Sequence, residues 1–184
     1  MPNEVEDAII VGEPIFYAHT LSKKLKQLKL VPISDAHYDN PLFSEHHFMN
    51  TLRMLGEHDT YGVLNGDLIE AVTRKSIGDI YKQKKAPKEQ AKWIVKRLMP
   101  YKKKLLGSTL GNHEYRIYKE IGDDYSEYIA EELGIPYRSS GLLLKISFGD
   151  RNKGVEGRPY VYWVYLTHGY GGARTKAKMQ VARW

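Results

Sequence analysis

The stretch LKLVPISDAH, residues 28–37, decides how the chain is read. Residues 28–33 are an apolar run interrupted only by Lys29, which predicts a buried strand, and Ser34-Asp35-Ala36-His37 ends it in a polar cluster. Pro32 removes one ladder donor, which argues for a sheet edge or a bulge. The same grammar recurs downstream. Residues 61–65 read as a short strand broken by Gly66-Asp67, and residues 104–110 as another that ends at Gly111-Asn112-His113-Glu114. Between these strands, Asn40-Pro41 predicts a helix start, with Phe48, Leu52 and Leu55 on one face and Gly56 near the end. Residues 87–99 predict a helix with Pro87 in its first turn, a stripe of Ala91, Ile94, Val95 and Leu98, and Pro100 as its stop.

Working outward, residues 125–133 predict a helix closed by Gly134. The period then changes to two. Leu142, Leu144, Ile146 and Phe148 alternate with other residues, and residues 160–166 are rich in aromatic and β-branched side chains, so two strands are expected to pair across a loop over 149–157. The second strand ends at Thr167-His168-Gly169. Residues 1–27 show no clear periodicity beyond a short basic helix near residues 21–28 and are read as an arm, leaving residues 28–184 as one domain. Strands alternating with helices, followed by an added antiparallel pair, predict an α/β fold.

Composition narrows the function classes. At 184 residues with 42% hydrophobic and 27% charged side chains, the chain has the make-up of one globular domain, not two. The absence of cysteine excludes disulfides, thiolate metal ligation and cysteine nucleophiles. The longest apolar runs fall far short of the ~20 residues a membrane helix needs. Glu4, Glu6 and Asp7 stand where a signal peptide would carry basic residues, so a cytoplasmic protein with no membrane partner is expected. Net charge is +6, and Lys82, Lys84, Lys85, Lys88, Lys92, Lys96, Arg97, Lys102, Lys103 and Lys104 face a single acid, Glu89. That region is either a solvated face or a contact for nucleic acid.

Four polar clusters, at Asp35, Asp67, Asn112 and His168, each directly follow a predicted strand. In open α/β sheets the ligand crevice lies beyond the carboxyl ends of the strands, so such clusters can converge. Asp35 and His37, two residues apart, can point the same way and chelate one ion. Taken singly, His37 is equally a surface or core histidine and Asp67 a helix cap. Asn112 adds an amide oxygen beside the His113 imidazole, and the glycines 169, 171 and 172 around His168 permit close backbone approach.

In this order the clusters resemble the motifs of the calcineurin-like metallophosphoesterase superfamily: Asp-x-His, Gly-Asp, Gly-Asn-His-Asp/Glu, His and Gly-His-x-His. The resemblance covers about residues 28–172 and implies a β-sandwich flanked by helices. It also implies two divalent ions, Mn²⁺ first, with Fe, Zn²⁺ or Ni²⁺ as alternatives. Asp35 and His37 would hold one, Asn112 and His168 the other, and Asp67 both. Such a pair clamps a phosphate ester and activates water. His113 resembles the family histidine that assists the leaving oxygen. Glu70 is similar in position to a carboxylate that pairs with it, and is equally a helix-start acid.

There are two departures from the family pattern. Leu110 and Ala71 stand where the protein serine/threonine phosphatase branch carries phosphate-gripping arginines, which argues against that branch. The Gly-His-x-His element is absent, and His19, His46, His47 and His58 are read as surface or packing residues. The expectations are therefore a domain short at its C-terminus, with Gln180–Trp184 read as an interrupted helix, completion of the site by a second chain, or an inactive module that binds protein or nucleic acid. A phosphodiesterase or phosphomonoesterase, with nucleic acid the leading substrate class, is the leading expectation, and weak or absent activity is expected of this chain alone.

Overall fold

The computed structural model describes residues 5–10, 13–73, 83–151 and 157–169. Lys82, Gly171, Gly172 and the ending Gln180–Trp184 lie outside them. Two four-stranded sheets face each other. The first joins β3 (Lys29–Ile33), β4 (Thr60–Asn65), β5 (Leu105–Thr109) and β6 (Tyr137–Arg138) in that order, all parallel. The second runs β1 (Val5–Ile10), β2 (Glu13–Thr20), β7 (Leu142–Phe148), β8 (Tyr160–Leu166), with β2 and β7 parallel and the other pairs antiparallel.

Side-chain alternation along β4 and β5 divides the interior. Tyr61, Val63 and Leu106 turn towards Leu142, Leu144 and Ile146 between the sheets. Leu64 and Leu105 turn the other way, onto helices α1 (Glu45–Leu55), α2 (Pro87–Leu98) and α4 (Tyr125–Leu133), through Leu52, Leu55, Ile94, Leu98 and Ile129. The result is a mixed α/β layering with helices on the parallel sheet. Among the described residues no helix is long and apolar enough to cross a membrane.

Most predicted elements form within a residue or two of their expected bounds. Pro32 sits on β3, the edge of its sheet, where its missing N–H costs no ladder bond. Three expectations are corrected. The helix expected from Asn40-Pro41 begins later, because the Asn40 side chain accepts from the Leu42 N–H in a local turn, and Ser44, accepting from His47 N–H at 3.3 Å, is the cap. The basic helix expected near residues 21–28 is not formed. Leu21 and Leu25 are buried between the sheets, and β1 and β2 bring the N-terminal segment into the second sheet instead of leaving it as an arm. A helix the sequence hides, α3 (Asn112–Ile121), starts immediately after Gly111; only Glu114 and Ile117 on it are buried, too sparse a stripe to read.

Candidate metal centre

Three of the four clusters hang from the carboxyl ends of neighbouring parallel strands, and the fourth follows β8 of the opposing sheet. The loops after β3 and β4 are stitched together by backbone bonds. Asp35 N–H donates to Gly66 O at 3.2 Å, His37 N–H to Asp67 O at 3.0 Å, Tyr38 N–H to Leu68 O at 3.0 Å and Glu70 N–H to Tyr38 O at 3.0 Å. The ladder thus continues past the strands in irregular form. Its price in conformation is visible, since Asp35, His37 and Asp67 sit at φ of 52°, 48° and 52°, a left-handed region that side chains with a Cβ disfavour.

A third loop closes against this pair. A Cβ on Gly111 would lie 2.0 Å from Asp67 N and 2.4 Å from its Oδ1, so only glycine lets the start of α3 come so near. At that distance His113 N–H donates to Asp67 Oδ1 at 2.8 Å. The buried Glu114 carboxylate accepts from three consecutive N–H groups, those of Asp67 at 3.0 Å, Leu68 at 2.8 Å and Ile69 at 3.2 Å. Burial, with the Asp67 charge beside it, pushes the Glu114 carboxyl up to about 7 against the pull of those donors. Glu114 carried no role in the sequence reading. Its one signal is its place in the fourth position of Gly-Asn-His-Glu.

His168 arrives from the other sheet. Asn65 holds its segment at both ends: the amide donates to Thr167 O at 3.2 Å, and the Asn65 carbonyl lies 2.7 Å from His168 Nδ1. A carbonyl only accepts, so Nδ1 carries a proton, and in the singly protonated ring Nε2 presents a lone pair. That lone pair faces Asn112 Oδ1 at 2.9 Å and Asp67 Oδ2 at 3.3 Å. An imidazole nitrogen and two oxygens thus lie close enough together to share a cation.

On the other side of Asp67, His37 Nε2 lies 3.9 Å from both Asp67 Oδ2 and Asp35 Oδ1, and the donor atoms of these three residues all fall within 4.8 Å of one another. Asp67 Oδ2 therefore faces both histidines. Oxygen and imidazole donors of this kind suit Mn²⁺, Fe, Zn²⁺ or Ni²⁺. The residues present fit the group that the sequence pattern implies.

His113 and Glu70 stand beside this centre. His113 Nδ1 lies 2.6 Å from Glu70 O, which fixes its proton on Nδ1 and frees Nε2; burial holds the ring below its ordinary pKa. The Glu70 side chain is buried in a loop and not at a helix start. Its Oε2 lies 3.4 Å from His37 Nδ1 and 3.9 Å from His113 Nδ1. Glu70 Oε2 and His37 Nδ1 are buried without a hydrogen-bond partner, and His37, Glu70 and His113 form a second group with donor atoms within 4.8 Å. We read it as an orienting contact for the two rings, because the His113 atom nearest Glu70 already bears a proton.

The basic region is only in part a free surface. Lys104 Nζ donates to the carbonyls of Glu57, His58 and Thr60, tying off the end of α1. Arg97 pairs with Glu45 at 2.7 Å and lies over Trp93, and Lys85 donates to the Tyr38 hydroxyl. Lys88, Lys92 and Lys96 are exposed along one side of α2.

Replacing Glu114 by alanine is expected to leave three buried N–H groups without an acceptor. The loss should be about 3 kcal/mol or more of stability in urea denaturation, with Mn²⁺ affinity falling in parallel because the Asp67 loop loses its anchor.

No family model, curated protein or solved structure matches this chain.

Proposed function

We propose that this chain is a divalent-metal-dependent phosphoesterase domain, acting on a phosphate ester at the centre built around Asp67. One observation carries the reading: a single buried carboxylate oxygen, Asp67 Oδ2, lies between His37 Nε2 and His168 Nε2, at 3.9 and 3.3 Å. Asp35, His37 and Asp67 would hold one ion, and Asp67, Asn112 and His168 the other. Bound there, the ions would supply Lewis acidity to the phosphate oxygens and to an attacking water.

The chain's own groups do the rest. Asn65 keeps the His168 proton on Nδ1, so Nε2 stays a donor of electrons. Glu70 O does the same for His113, whose Nε2 is left to hydrogen-bond the leaving oxygen or exchange a proton with it. Glu114 keeps the loop carrying Asp67 in its left-handed conformation.

The test is elemental analysis after Mn²⁺ loading, with hydrolysis of bis(p-nitrophenyl) phosphate followed on the same sample. Bound Mn²⁺ and turnover are expected, and protein that takes up no Mn²⁺ would refute the reading. Since the sequence has no Gly-His-x-His, a second chain is one source of further donors.

A second reading, a metal-independent nucleic-acid-binding module, is favoured only by the exposed row of Lys88, Lys92 and Lys96. Under it, alanine at Lys92 and Lys96 would weaken oligonucleotide binding and flatten its salt dependence, while Asp67→Ala would leave binding unchanged.

A further inference from the structure

Resting on the phosphoesterase reading, we infer that Gln90, a residue of α2 outside both donor sets, is a positioning residue for His113. Its side chain is buried, and its amide spans two segments of the chain. Oε1 accepts from the Ala71 N–H at 3.2 Å, and Nε2 donates to Lys85 O at 2.9 Å. These partners fix which way the amide faces, since the N–H can be met only by its oxygen and the carbonyl only by its NH₂.

The Ala71 N–H belongs to the same peptide unit as the Glu70 carbonyl, to which His113 Nδ1 donates at 2.6 Å. In a planar trans peptide the N–H and C=O point in opposite directions, so a clamp on one aims the other. Gln90 on one side and His113 on the other therefore grip a single peptide plane. The far end of this relay is held too. Asp39 Oδ2, two residues along the chain from His37, accepts from the N–H groups of Lys84 at 2.8 Å and Lys85 at 2.7 Å.

Backbone strain is the reason a clamp is needed. Ala71 sits at φ 49°, in the left-handed region that a side chain with a Cβ disfavours. Rotating the 70–71 peptide by half a turn would return Ala71 to an extended φ and take the Glu70 carbonyl away from His113. Glu70 Oε2, buried without a hydrogen-bond partner 3.9 Å from His113 Nδ1, would then compete for the ring, and a ring drawn to it would carry Nε2 off its aim. Gln90 opposes the rotation, because the flipped peptide would set a carbonyl oxygen against Oε1. Turning the amide round to follow it would set Oε1 against Lys85 O instead.

The test uses the full chain, loaded with diamagnetic Zn²⁺ for NMR and with Mn²⁺ for kinetics. Gln90→Leu occupies similar space without either hydrogen bond, and Gln90→Glu restores an acceptor for the Ala71 N–H. In wild type the His113 Nδ1–H, identified by its loss in His113→Ala, is expected as a resolved signal in ¹⁵N-edited spectra. In Gln90→Leu that signal should shift or exchange away. Its kcat on diphenyl phosphate, whose leaving group needs a proton more than p-nitrophenolate does, should fall about tenfold, part of what a lost general acid costs, with KM and Mn²⁺ content unchanged. Gln90→Glu should recover both signal and kcat. A Gln90→Leu variant that keeps either the wild-type signal or the wild-type kcat would overturn the inference, as would a Gln90→Glu variant as impaired as Gln90→Leu. Should Gln90→Leu not fold, Gln90→Asn, one methylene short of the loop, is read by the same criteria. Bound metal and turnover indifferent to Gln90 remove this inference alone; a chain that takes up neither Mn²⁺ nor Zn²⁺ removes the phosphoesterase reading and this inference with it.

Discussion

Asp67→Ala is expected to lower Mn²⁺ affinity by at least about 100-fold and to remove hydrolysis with it. Losing a partner that merely orients a metal ligand costs 10–100-fold, and in the proposed centre Asp67 would be a ligand to both ions. Its two oxygens have different tasks. Oδ1 takes the His113 N–H at 2.8 Å, joining the loop after β4 to the start of α3, while Oδ2 faces the histidines. Alanine deletes both tasks, so some of the loss could come from a loosened loop. Asp67→Asn separates them, because an amide oxygen can still accept from His113 while the negative charge is gone. Calorimetric Mn²⁺ titration of both variants, with thermal unfolding as a control, decides the case. Wild-type metal affinity in folded Asp67→Asn would refute the bridging assignment.

His113→Ala should leave the metal in place and lower turnover by about 10²–10⁴-fold, the range for a lost general acid or base. His113 Nδ1 is committed to Glu70 O, and neither proposed donor set contains the ring. Its nearest aromatic neighbour is the edge-on His37 ring, 4.3 Å away between centroids. Removing it therefore touches the leaving-group side of the reaction more than the cations. Elemental analysis of the variant beside its kcat checks both halves of the statement. An unchanged kcat would reject the role, and a lost metal would mean that His113 belongs to the donor set.

The three parallel strands that carry the site were legible because each is a short apolar run cut off by Asp35, Gly66-Asp67 or Gly111-Asn112. The candidate residues were legible for the same reason. Taken singly, Asp35, His37, Asp67, Asn112 and His168 had ordinary readings as surface residues or caps; their ordered recurrence at strand ends marked them as a set, and the structure gathers them around Asp67. Glu114 did not stand out, because an acid in the first turn of a helix is ordinary. Only the folded loop shows it buried under three N–H groups. β1 and β2 were missed for another reason. β2 pairs with β7, far along the chain, and β1 with β2 beside it, so tertiary pairing and not local pattern makes the strands. The sparse apolar stripe of α3 follows from what its first turn does, since Asn112, His113 and Glu114 all face the site.

The left-handed backbone at Asp35, His37 and Asp67 has a further consequence for how this protein can be improved or spoiled. Each such residue gives up about 1–2 kcal/mol relative to glycine-like freedom. A selection for thermal stability alone would thus be drawn to glycine at Asp35 and His37, though not at Asp67, whose Oδ1 holds the His113 N–H, and every success would erase a donor of the proposed metal centre. Under the proposed function, robustness and chemistry are set against each other at these residues, so the most stable descendants of this chain would be the ones least able to hold a metal.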